Sequence, residues 1–76
     1  MRWRDYGSGV HRSVPERYEI RRSTSRRSGD TIWSVFVRYR DGQREMIAGE
    51  QLGCMVAAFK SLADAKAFTK HLEGES

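Results

Sequence analysis

The sequence predicts a single α+β domain, an antiparallel sheet closed by one C-terminal helix. Three observations predict it. Residues 31–39 are rich in β-branched and aromatic side chains, as a strand core requires. Asp41-Gly42 then ends that stretch with a hairpin dipeptide. Residues 61–74 carry a helix start, an apolar stripe and a glycine stop. A chain of 76 residues holds one such domain, because at that size folding buries only about 60–65% of the unfolded surface. Strands followed by one helix pack as two layers, here three or four strands against the helix.

The elements follow in chain order. Residues 1–16 read as a flexible basic arm, because Gly7-Ser8-Gly9, Ser13 and Pro15 break any period. Trp3, Tyr6, Val10 and Val14 make that arm more apolar than a solvated tail requires. Residues 17–73 form the domain and 74–76 a C-terminal tail. Tyr18-Glu19-Ile20-Arg21 alternates as a first strand, and residues 23–30 form a polar, basic loop. With Asp41-Gly42 as a two-residue turn, Tyr39 faces Arg44, Arg38 faces Glu45, Val37 faces Met46 and Phe36 faces Ile47. Side chains alternate across a sheet, so one face carries Trp33, Val35, Val37, Tyr39, Met46 and Ala48, the expected core. The other carries Ile32, Ser34, Phe36, Ile47 and an Arg38–Glu45 pair.

Residues 49–53 look like another reversal, and Cys54 to Phe59 like a further strand. The interval 44–59 is long enough for one strand or two. Ser61 is placed to cap the helix, with Asp64 at the third helical position. The helix runs to about Leu72, and Gly74 stops it. Leu62, Ala65, Phe68 and Leu72 share its apolar side.

Composition bounds the function. The longest apolar run, Leu52 to Phe59, is eight residues, against about 20 for a membrane helix. The N-terminus develops no apolar signal core, and Cys54 has no second cysteine to pair with, so a cytoplasmic protein is expected. Residues 1–44 hold eleven arginines, no lysine and five acids, a net of +6. Residues 45–76 hold three lysines, no arginine and five acids, a net of −2. Guanidinium forks concentrated in one half suit phosphate or carboxylate partners.

Catalytic and metal chemistry find no support. His11 and His71 lie at opposite ends, and no His/Cys pair has zinc-ligand spacing. Cys54 begins an apolar stretch and is expected as a buried, inert thiol. Gly7-Ser8-Gly9 lacks the Gly-Lys-Ser/Thr that a phosphate loop needs. No enzyme activity, metal or cofactor is therefore expected. The binding candidates are Arg21, Arg22, Arg26 and Arg27 in and after the first strand, Arg38, Arg40 and Arg44 around the hairpin tip, and Arg2, Arg4, Arg12 and Arg17 along the arm. Phe36 joins them as a residue that could stack on a base or enter a groove. The expected partner is nucleic acid, DNA ahead of RNA. The alternative is a small adaptor or inhibitor of a nucleic-acid-processing complex, or a homodimer, using Ile32, Phe36 and Ile47 as a protein interface.

The run from Trp33 to Arg44, followed by Phe59-Lys60-Ser61, Ala65 and Phe68, resembles the AP2-like arm-binding domains at the N-terminus of phage and transposon tyrosine recombinases. The likeness covers about half the chain. It implies a three-stranded sheet on one helix, with the sheet laid into the DNA major groove. It also implies an origin in a phage or mobile element. Carried over, Arg38 and Arg40 would contact backbone or bases, and Phe36 would enter the groove. The sequence departs from the pattern at Glu45-Met46-Ile47-Ala48, which is not basic, and in the longer interval before Phe59.

Overall fold

A computed structural model describes the backbone of residues 2–51, 54–56 and 58–74, and the side chains of residues 2–50 and 58–74. Six strands form an antiparallel meander: β1 (Arg2–Asp5), β2 (Val10–Val14), β3 (Tyr18–Thr24), β4 (Thr31–Arg38), β5 (Arg44–Gln51) and β6 (Cys54–Val56). Helix α1 (Leu62–Leu72) follows. The α+β architecture agrees with the sequence-based expectation, with six strands where three or four were expected. The interval 44–59 holds two of them. Cys54's side chain and the 52–53 reversal lie outside the described residues.

The expected arm is the largest difference. Residues 2–14 form a hairpin, β1–β2, that joins the sheet along β3. The three positive φ angles at Gly7, Ser8 and Gly9 make its turn, closed by Val10 N donating to Gly7 O at 3.0 Å. Gly9 is required for a second reason. A Cβ there would lie 2.6 Å from Arg22 Cβ, so only glycine lets the turn lean on β3.

The β4–β5 hairpin also departs from expectation. Its loop has three residues, Arg40-Asp41-Gly42, with Tyr39 N donating to Gln43 O at 2.8 Å. Gly42, at φ +85°, takes the left-handed position that three-residue loops reserve for glycine. The extra residue slips the register by one: Arg38 faces Arg44, Val37 faces Glu45 and Phe36 faces Met46. A bulge between Val35 and Phe36 then absorbs the slip, and Val35 faces Ala48. Met46 therefore belongs to the face opposite the helix, while Ile47 packs against the core. The expected Arg38–Glu45 pair does not form; Glu45 accepts a 2.6 Å hydrogen bond from Tyr39 Oη instead.

Beyond the bulge, β5 leaves β4 and pairs with β6. Trp33 exchanges backbone hydrogen bonds with Phe59 in its place, at 2.7 and 3.2 Å. The core is small: Ile20, Val35, Ala48 and Ala65, ringed by Trp3, Trp33, Ile47, Phe59, Leu62 and Phe68. Ser61 Oγ caps the helix by accepting from Asp64 N at 3.1 Å. Gly74, at φ +77° just past the Glu73 C-cap, ends it. Leu72 is largely exposed, and Thr69 is buried on the sheet side in its stead. Glu73 ties the helix end to β3, accepting from Tyr18 Oη at 2.7 Å and pairing with Arg17 at 3.1 Å.

Phe68 stacks at a tilt on Phe59, ring centroids 5.0 Å apart, and joins helix to sheet. A fully buried phenylalanine would cost about 3–5 kcal/mol on truncation to alanine. Phe68 is half-buried, so Phe68→Ala is expected to destabilise the domain by about 2–3 kcal/mol, lowering the thermal midpoint by about 10–20 °C. An unchanged midpoint would mean that helix and sheet are not packed this way.

Candidate nucleic-acid interface

The helix covers one face of the sheet, and the register decides what the other face carries. Trp3 packs against the core, so its strand neighbours Arg2 and Arg4 point to the opposite face. Cross-strand pairing then runs Arg4, Arg12, Glu19, Phe36 and Met46 in one row across five strands. Arg21 follows Glu19 on the same face two residues along β3. Arg38 and Arg44, facing each other, lie on the same side two residues from Phe36 and Met46.

Glu19 is the centre of this arrangement. Its side chain is 0% exposed, and three arginines close over it. Arg12 Nε donates to one carboxylate oxygen at 2.8 Å. Arg21 Nε donates to the other at 2.7 Å, and Arg44 Nη1 shares that second oxygen. Arg44 also lies over the Phe36 ring, 5.1 Å from its centroid, a cation–π contact. Burial pushes the Glu19 carboxyl up, but the Arg12 and Arg21 hydrogen bonds and the Arg21 and Arg44 charges prevail, holding it below its ordinary value.

Glu16 makes a second, more open node. Ser13 Oγ shapes the turn that carries it, donating to Pro15 O at 2.8 Å and accepting from Tyr18 N at 2.9 Å. The Val14–Pro15 bond within the turn is cis. Glu16 accepts a short hydrogen bond from Arg38, and 3.4 Å contacts from Arg12 and Tyr6 Oη. Arg12 therefore bridges both carboxylates. Arg38 holds the Glu16 carboxyl below its usual value, against a smaller desolvation effect. Counting Arg2, Arg4, Arg12, Arg21, Arg38 and Arg44 against Glu16 and Glu19, the face carries a surplus of four positive charges.

Of the residues expected to bind, Arg21, Arg38, Arg44 and Phe36 come together here. Arg40 projects from the hairpin tip beside them. Arg22 alternates to the helix face, next to Gly9. Arg26 and Arg27 lie in the β3–β4 loop at the far end of the strands. Glu50 anchors that loop, accepting from Ser25 Oγ at 2.6 Å and Arg26 N at 2.7 Å. The apolar patch Ile32–Phe36–Ile47 does not assemble. Ile32 is buried and the bulge turns Ile47 to the core, which leaves Phe36 half-buried under Arg44.

Sequence reasoning placed Arg12 on a flexible arm rather than in a strand, and missed Glu19 as the group that gathers the arginines. The available signal was Glu19 itself, an acid inside a short strand with an arginine two residues on, the spacing that shares a sheet face. Among the described residues no group of His, Cys, Asp and Glu could hold a metal, and no helix is long and apolar enough to cross a membrane. No known protein family, curated protein or solved structure matches the chain.

Replacing Glu19 tests the electrostatics. Glu19→Gln keeps the shape and removes the charge, and is expected to lower stability at pH 7 by about 2 kcal/mol, less than for a fully buried pair because the arginines are partly in water. The folded carboxyl titrates below the ordinary 4.5, so its contribution is complete above that value and is lost as pH falls through the lower folded one. Wild type and variant should converge in urea titrations as pH falls below 4.5 and through the lower folded value. A gap independent of pH would assign the loss to packing instead.

Proposed function

We propose that the chain is a non-catalytic module that binds duplex DNA through the helix-free face of its sheet. One observation carries the reading: a buried carboxylate orients several arginines on the helix-free face, where they leave a positive surplus. Arg21 gives Glu19 only its Nε, so both of its terminal nitrogens remain for a phosphate or base edge. Arg44 gives one terminal nitrogen and is braced by Phe36. Such pre-ordered forks lose less entropy on binding than free side chains.

Duplex is favoured over single strand because the Phe36 ring, half-buried in the sheet, already has Arg44 lying over it where a base would stack. DNA is favoured over RNA on groove size. A two-stranded ribbon enters the B-form major groove, whereas side chains cannot read the deep, narrow A-form one. The β4–β5 hairpin is such a ribbon, with Arg38, Arg40 and Arg44 at its tip. The resemblance to recombinase arm-binding domains points to the same hairpin. The surface on which the adaptor reading rested does not form among the described residues, because Ile32, Phe36 and Ile47 are not exposed together.

Fluorescence anisotropy on a mixed-sequence duplex tests this. With four to six phosphates contacted, affinity should fall about 10²–10³-fold between 50 and 200 mM salt. Arg21→Ala and Arg44→Ala should each weaken binding and flatten the logarithmic salt slope by about 0.9. Arg26→Ala with Arg27→Ala, at the far end of the strands, should matter less. Absence of binding at 50 mM salt to duplex and single strand alike would sink the proposal.

A further inference from the structure

The two carboxylates on the cationic face differ in kind. Glu19 is buried with three close partners. Glu16 is 44% exposed, with one short partner and two at 3.4 Å. Beside Glu16 an open cleft of about 510 Å³ runs between the β2–β3 turn and the end of β4, lined by Pro15, Glu16, Arg17, Arg38, Tyr39 and Arg40. Three guanidiniums thus border a space that holds one carboxylate. Arg40 makes no ion pair with any described residue, and the Tyr39 ring is half exposed.

We propose that this cleft is a subsite for one phosphodiester of a bound nucleic-acid strand, and that Glu16 is its internal stand-in in the free protein. The inference rests on the nucleic-acid reading above and adds where a phosphate sits and what it displaces. A carboxylate and a phosphodiester each present a pair of anionic oxygens, so the guanidinium that takes one can take the other. Exposed ion pairs are worth little, so Glu16 can yield Arg38 where Glu19 cannot yield its arginines. Arg40 is within the same cleft to complete the anion's shell, while Arg17 on the opposite wall keeps Glu73 as its partner and adds only its nearby charge. The depressed Glu16 carboxyl is ionised at neutral pH, so the competition operates under ordinary conditions. Glu19 builds the face and Glu16 screens it.

Removing the two carboxylates should therefore have opposite effects. Glu16→Gln in the full chain is expected to bind duplex about 3–10-fold more tightly at 100 mM salt, with a logarithmic salt slope steeper by about 0.9 for the phosphate gained. Asp64→Asn, on the helix layer, makes the same change in net charge and serves as the control; its gain should be much smaller. Adding Arg38→Ala to Glu16→Gln should erase the gain. A Glu16→Gln variant no tighter than Asp64→Asn would overturn the subsite, as would a gain that survives Arg38→Ala. Should the wild type bind no duplex, the broader reading fails. Titration with inorganic phosphate, followed by the amide resonances of Arg38, Tyr39 and Arg40, then decides the cleft separately. Tighter uptake by Glu16→Gln than by wild type supports an anion subsite, and no shift in either protein overturns it.

Discussion

Glu19 lies in the middle of the sheet, on the face without a helix, and the charges around it are intelligible only in its presence. Arg12, Arg21 and Arg44 come from β2, β3 and β5. Without a carboxylate among them they would repel one another across strands. With it, each guanidinium has a fixed anchor, and those of Arg21 and Arg44 keep terminal nitrogens that Glu19 does not use. Burial alone would raise the pKa of a carboxyl at this position, and the arginines reverse that tendency. The acid and the arginines are therefore one unit: the face could not be this cationic without the buried negative charge.

The rest of the fold supplies the strands that bring those groups together. The β1–β2 hairpin contributes Arg12 and Arg4, and it can dock only because Gly9 lets its turn touch β3. The helix layer occupies the opposite face through a thin core, secured by the Phe59–Phe68 contact and by the Tyr18 and Arg17 links to Glu73. The apolar core and the cationic cluster are thus placed on opposite sides of the sheet, with Ile20 facing the helix and its neighbours Glu19 and Arg21 facing away.

Much of this was legible in the residues, and what was not has physical causes. The Thr31–Arg38 strand, the Ser61 cap and the Gly74 stop followed from local chemistry, since propensity and capping act within a few residues. The β1–β2 hairpin was obscured because its strands are short and the Gly7-Ser8-Gly9 turn resembles a linker. The hairpin register was obscured because Asp-Gly suits both a two-residue and a three-residue loop, and only long-range packing chooses between them. Glu19 was hidden for a similar reason. Arg44 lies far from it along the chain and Arg12 lies across a turn, and strand pairing alone brings them near.

The three-residue loop and the bulge that compensates for it behave as a matched insertion, one residue gained at the tip and one taken up before the core. Between them lies a short window, residues 44–46, whose side chains are inverted relative to a tighter hairpin, while Val35 and Ala48 stay where the core needs them. That window puts Arg44 beside Glu19 and Phe36. Loop length can therefore reassign charge from one face of a sheet to the other without altering composition, and a lineage could gain or lose a cationic surface by indel rather than by substitution.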